Sequence, residues 1–196
     1  MHPQLKAYID VFEQSRRDAH RVAEGLTESQ FNWKSSPRTW SVGECLEHLN
    51  IIAESYVPLM EAALQNAEPS RSDLFRYGWL SRRFINAVRP GGRRVKTSAD
   101  LNPSSTEAPS SDLEKTGCLS TFDNWTARFV DIARKSDGLD IARLKITSPF
   151  LRLLRLPVGA FLEALGLHAL RHVQQAEQVV RSGGFPRPSN PQETGA

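Results

Sequence analysis

The sequence predicts an all-α protein, a set of long helices joined by one extended connection. Three observations carry this. Long stretches repeat apolar residues at the three- and four-residue spacing of a helix face. Those stretches start and stop at caps, prolines and glycines. No segment reads as a strand, and no internal repeat is present.

The first helix is expected from about Pro3 to Glu24, with Pro3 in its first turn and Gly25 at its end. Leu5, Tyr8, Ile9, Phe12, Ala19, Val22 and Ala23 trace its apolar stripe around a polar middle. Thr27 to Gln30 reads as a capping box for a short turn. A second box, Ser41 with Glu44, opens the next helix, which fades near Gln65 and is expected to kink at Pro58. Asp73 to Val88 fits a shorter helix. The Pro-, Gly- and Ser-rich run that follows reads as a long loop, lying across one end of the bundle or forming part of a lid. A further helix is expected over about Leu119 to Ser136, ended by Gly138. ITSPFLRLLRLP then reads as a buried short helix or an extended piece cut by Pro157. The last helix runs from about Val158 to Ser182, stopped by Gly183-Gly184. Residues 1–186 make one domain, and 187–196 read as a disordered tail.

At 196 residues the chain is long enough to bury a substantial core. No apolar run approaches the roughly 20 residues that span a bilayer, so no membrane partner is expected. No signal-peptide pattern opens the chain, and Cys45 and Cys118 are too few for a disulfide framework. A reducing cytoplasm is the default compartment. The net charge of +3 is unevenly spread. Residues 71–96 hold eight cations against Asp73 alone, interleaved with Phe75, Tyr77, Trp79 and Phe84. Without a nucleic-acid fold signature, this segment reads as a connector whose aromatics pack on the bundle, and nucleic acid is not expected as a partner. Some of its arginines could instead attract an anionic substrate.

The chemistry centres on histidine. His168 and His172 lie four apart, on one face of the last helix and on its apolar stripe. An unpartnered ring there is costly, so each needs a partner, and one metal ion would serve both. His48 lies on the inner face of the second helix and reads equally as a third ligand or as a satisfied core histidine. Three protein ligands would leave coordination positions open, as a catalytic ion requires. His2 and His20, at the terminus and on a charged face, are set aside. Glu44, one turn from His48, could act as a general base, but the capping box already explains its type and position. Ala169, Leu170 and Arg171 separate the paired histidines, so the glutamate of H-E-x-x-H proteases is missing. Cys45 reads as a core thiol, and Gln175 as a hydrogen-bonding neighbour of His172 or a bundle-interior amide.

TWSVGECLEHL, with Trp40, Ser41, Glu44 and His48, resembles a motif of the DinB-like superfamily. So do His168, Arg171, His172 and Gln175, the closing Gly184-Phe185-Pro186, and Leu156-Pro157 through Phe161. The resemblance runs from the first helix to Pro186, and only loosely over 67–118. It implies an up-down-down-up four-helix bundle, with a long loop between its second and third helices. It also implies a metal held by His48, His168 and His172, usually zinc or nickel, and often a homodimer. Members include YfiT-like metal-dependent hydrolases and S-transferases of low-molecular-weight thiols. Three functions follow as expectations: a hydrolase that activates water at the ion, a thiol S-transferase using the same open position, or a non-catalytic bundle with a structural metal or none. The partner is a small-molecule substrate or thiol. Zinc is favoured because it needs no redox partner.

Overall fold

Proline at the first position and an imidazole at the cap start helix α1, Pro3–Ala23, where His2 Nδ1 accepts from the Gln4 amide at 3.2 Å. The computed structural model describes residues 1–37, 39–70, 74–92 and 111–187. Among these, α1 is followed by α2 (Glu28–Phe31), α3 (Val42–Leu64), α4 (Trp79–Val88), α5 (Lys115–Lys135), strands β1 (Lys145–Thr147) and β2 (Arg155–Pro157), and α6 (Val158–Arg181). None of these helices is long and apolar enough to cross a membrane.

The polar middle of α1 is tolerated because buried Ser15 returns its hydroxyl to the Val11 carbonyl at 2.9 Å. Both predicted capping boxes form, at Thr27/Gln30 and Ser41/Glu44. Helix α3 is continuous through Pro58, whose ring and the Glu54 it leaves without an amide partner both lie on the exposed face.

Two helix starts differ from the sequence expectation, and a third segment takes one of its two expected forms. Helix α4 begins at Trp79, and the Gln4 amide holds Phe75 in the preceding extended stretch, accepting from its N–H at 2.7 Å and donating to its carbonyl at 3.2 Å. Asp73, the expected start, lies outside the described residues. Helix α5 begins at Lys115, because the Glu114 carboxylate caps the amides of Thr116 and Gly117. The Pro157-cut run takes the extended of its two expected forms, as the antiparallel hairpin β1–β2, pairing Ile146 with Leu156. Ser148 Oγ accepts from the Phe150 and Leu151 amides and meets the Tyr56 hydroxyl at 2.7 Å, which pins the turn to α3. The expected long loop lies mostly in 93–110, and the expected tail from 188 onward, outside the described residues.

Helices α1, α3, α5 and α6 form the four-helix bundle, each packed on two neighbours, with α4 laid against α6. Side-chain pairs give the directions. Tyr8 meets Glu163 and Arg21 meets Glu177, so α1 and α6 are parallel. Gly43 meets Cys118 and Glu61 meets Arg128, so α3 and α5 are parallel. Phe12 stacks on Phe129 and His20 meets Asp123, so the two pairs oppose each other. The order is up-down-down-up. The core divides into one cluster around Phe12, Met60, Phe129 and Phe161 and another around Phe31, Val42, Leu46 and Val173.

Candidate metal centre

Helices α3 and α6 each contribute to a group of three imidazoles at the junction of the two core clusters. His48 follows Leu46 of one cluster and precedes Ile52 of the other, and His168 lies between Leu165 and Ala169 in the same way. One ring nitrogen from each of His48, His168 and His172 falls within a set spanning no more than 4.8 Å. His48 Nε2 and His168 Nε2 are 3.2 Å apart. The ring centroids of His168 and His172 are 4.4 Å apart, and those of His48 and His172 are 4.8 Å apart. The four-residue step on α6 sets the first spacing, and the antiparallel crossing of α3 brings in the third ring.

Burial gives the site its electrostatics. It pushes His168 down to about 3, helped by His48 and Arg171 nearby. Burial, then His168, His48 and Arg171, also hold His172 well below the ordinary histidine range. Both rings are therefore neutral at physiological pH, the form that ligates metal. Nδ1 of His168 and of His172 is buried without a hydrogen-bond partner. A buried polar atom left so is costly. The fit to an ion rests on the other nitrogen, because the 3.2 Å separation of the His48 and His168 Nε2 atoms suits a shared ion. Two nitrogens about 2.05 Å from one tetrahedral ion lie roughly 3.3 Å apart.

Glu44 is buried and fully committed. Its Oε2 accepts from the Ser41 amide at 2.9 Å, while Oε1 takes the Lys34 ammonium at 2.7 Å and the Ser111 hydroxyl at 3.1 Å. It is not in the three-histidine group. Cys45 is a fully buried core thiol whose pKa is pushed up by burial and then by Glu44. Gln175 lies close enough to His172 to oppose part of that ring's downward shift. Arg171 turns away from the imidazoles to the Ala87 carbonyl at 2.9 Å, tying α6 to α4. His20 pairs with Asp123 at the surface, and His2 stacks on Phe75.

Sequence reasoning named Trp40 without giving it a place. Its ring lies 4.9 Å from that of His48 and 5.5 Å from that of His172, nearly parallel to the latter. It forms an aromatic wall over the imidazoles, and its position just before the Ser41 cap was the available signal. A cavity of about 20 Å³, room for one water, is lined by His168 together with Phe12, Leu49, Phe122 and Phe129.

The fold is thus an up-down-down-up helical bundle in which three converging imidazoles could hold a metal ion. The chain belongs to the DinB superfamily, whose family model matches residues 11–176. Among solved structures it is similar to YfiT from Bacillus subtilis, described as "a probable metal-dependent hydrolase with an unusual four-helix bundle topology". The identity is 15%, the match covers 92% of this chain and 88% of that one, and the TM-score is 0.59, so the likeness is one of fold. No curated protein sequence matches the chain.

Proposed function

We propose that the chain is a metal-dependent enzyme whose divalent ion is held by His48, His168 and His172, and that it hydrolyses a small-molecule substrate. The observation that carries this reading is the convergence of three imidazoles from two facing helices, two of them held neutral by burial. The description of YfiT as a probable metal-dependent hydrolase supports it. When bound, the ion would supply an acidified water and a Lewis acid for the substrate. The chain's own part is to hold three imidazole donors, to leave the remaining positions open and to shield one side with Trp40. Zinc is the favoured ion and nickel the alternative, since imidazoles accept both.

One observation favours a second reading, a thiol S-transferase. The three-histidine group contains no carboxylate, and Glu44 is engaged by Ser41, Lys34 and Ser111. Nothing in that group serves as a carboxylate base. A thiol, with a pKa of about 8.5, needs less acidification than water at about 15.7.

The test is metal content by mass spectrometry on protein purified without added metal, for the native chain and for His48→Ala and His172→Ala. Near one equivalent in the native chain and little in either variant is the expected result. A metal-free native protein whose stability neither substitution changes overturns both enzymatic readings. Ester and amide hydrolysis, compared with thiol-dependent conjugation, then separates the two.

A further inference from the structure

Among the described residues, five of the seven large hydrophobic side chains that stand exposed belong to two short segments, 74–92 and 141–157. They are Leu74, Trp79, Leu80, Leu151 and Leu153; Trp79 is 76% exposed and Leu153, in the hairpin loop, 102%. Each segment carries four cations and no acid. Arg76, Arg83, Arg152 and Arg155 are exposed among the apolar side chains.

The fold brings the two segments together. The Tyr77 hydroxyl and Ile141 Cδ1 both press on Gly159, in the first turn of α6. Two residues on, Phe84 of α4 packs on Phe161, as does Tyr56, which in turn meets Phe150 of the hairpin. The apolar prongs and the arginines thus flank the start of α6. The imidazoles lie about 15 Å further along its axis.

We propose that this end of the bundle docks on an anionic lipid surface, with Trp79 and Leu153 entering the interface and the arginines meeting the headgroups. The chemistry selects this occupant. Tryptophan and leucine beside arginine is the composition of interfacial anchors, and clustered cations add affinity for anionic leaflets. A second copy would oppose two surfaces of the same charge. Nucleic acid would use the cations, but it offers exposed leucines nothing to enter. The absence of a spanning segment concerns crossing a bilayer, and surface docking requires no such segment. The proposal is independent of the metal-centre reading.

The test is co-sedimentation of the full chain with phosphatidylcholine vesicles, with and without phosphatidylglycerol, at low and high salt. Binding is expected only with phosphatidylglycerol, weakening as salt rises. Arg152→Gln with Arg155→Gln lowers partitioning about 25-fold, from about fivefold per cation. Trp79→Ser with Leu153→Ser lowers it by about tenfold or more, from the apolar surface no longer buried. All four side chains are exposed, so circular dichroism and melting should stay unchanged. Three results overturn the proposal: no vesicle binding, binding untouched by Trp79→Ser with Leu153→Ser (general attraction of a basic protein), or self-association that Leu153→Ser abolishes. Salt-sensitive binding to single-stranded DNA without vesicle binding would assign the surface to nucleic acid.

Discussion

Glu44 shows how one residue's partners decide its role. Its two carboxylate oxygens take an amide, an ammonium and a hydroxyl, so it closes the start of α3. Glu44→Gln is expected to cost about 1–2 kcal/mol of stability, from a weakened cap and a lost charge-assisted bond. Metal content should be unchanged. Urea melts with metal analysis check both, and marked metal loss would place Glu44 in the site. Glu163 is a second acid whose surroundings matter. Burial raises its carboxyl above the ordinary range, against the opposing effects of Tyr8 and Arg82. A carboxyl raised on folding contributes stability that is full below its unfolded pKa and lost as pH rises through its folded one. Glu163→Gln should therefore gain stability relative to the native chain between about pH 4 and neutrality. Melting both proteins across that range is the check, and parallel curves would count against it. Residue types and spacing made the capping box, the paired α6 histidines and the core thiol legible in the sequence. The place of Trp40 was not legible, because ring stacking depends on where the loop before Ser41 falls across α6.

The helices of the bundle were legible because each has a stripe and a stop. The start of α5 is set locally by its Glu114 cap, whereas the start of α4 and the hairpin turn are set by long-range partners. Phe75 is held extended by Gln4, seventy-one residues away. The hairpin turn is fastened by Tyr56, ninety-two residues from Ser148. Neither tie leaves a periodic trace, and the leucines of 151–155 looked like core, although Leu151 and Leu153 are exposed. Gly159 is another such contact. A methyl there would meet the Tyr77 hydroxyl and Ile141 Cδ1. Gly159→Ala is expected to cost about 1–3 kcal/mol by overpacking. Tyr77→Phe in the same chain should recover part of that loss, because it removes one of the two obstructing atoms. A double-mutant cycle on urea midpoints measures the coupling, and strict additivity would rule out the contact.

At the scale of the molecule, the three imidazoles join only α3 and α6, one ring from the first and two from the second. Those helices are antiparallel neighbours, and both core clusters meet at the imidazoles. A cation bound there would act as a bolt across one side of the bundle. It requires the folded arrangement, since the unfolded chain holds His48 and His168 120 residues apart. Binding to the folded state alone stabilises by mass action, about 2.7 kcal/mol at a free metal concentration 100 times Kd. For a domain of this size that corresponds to a rise of about 5–10 °C in melting temperature. The native chain should therefore melt higher with added zinc than in chelator, and the gap should widen with metal concentration. His48→Ala leaves two donors on α6 and breaks the link to α3, so its melting temperature should hardly respond to metal. Calorimetry on both proteins, with chelator and with increasing zinc, measures the two responses. Equal metal-dependent shifts in both would mean the ion does not bridge these helices, and no shift in either would remove it from the fold's stability altogether.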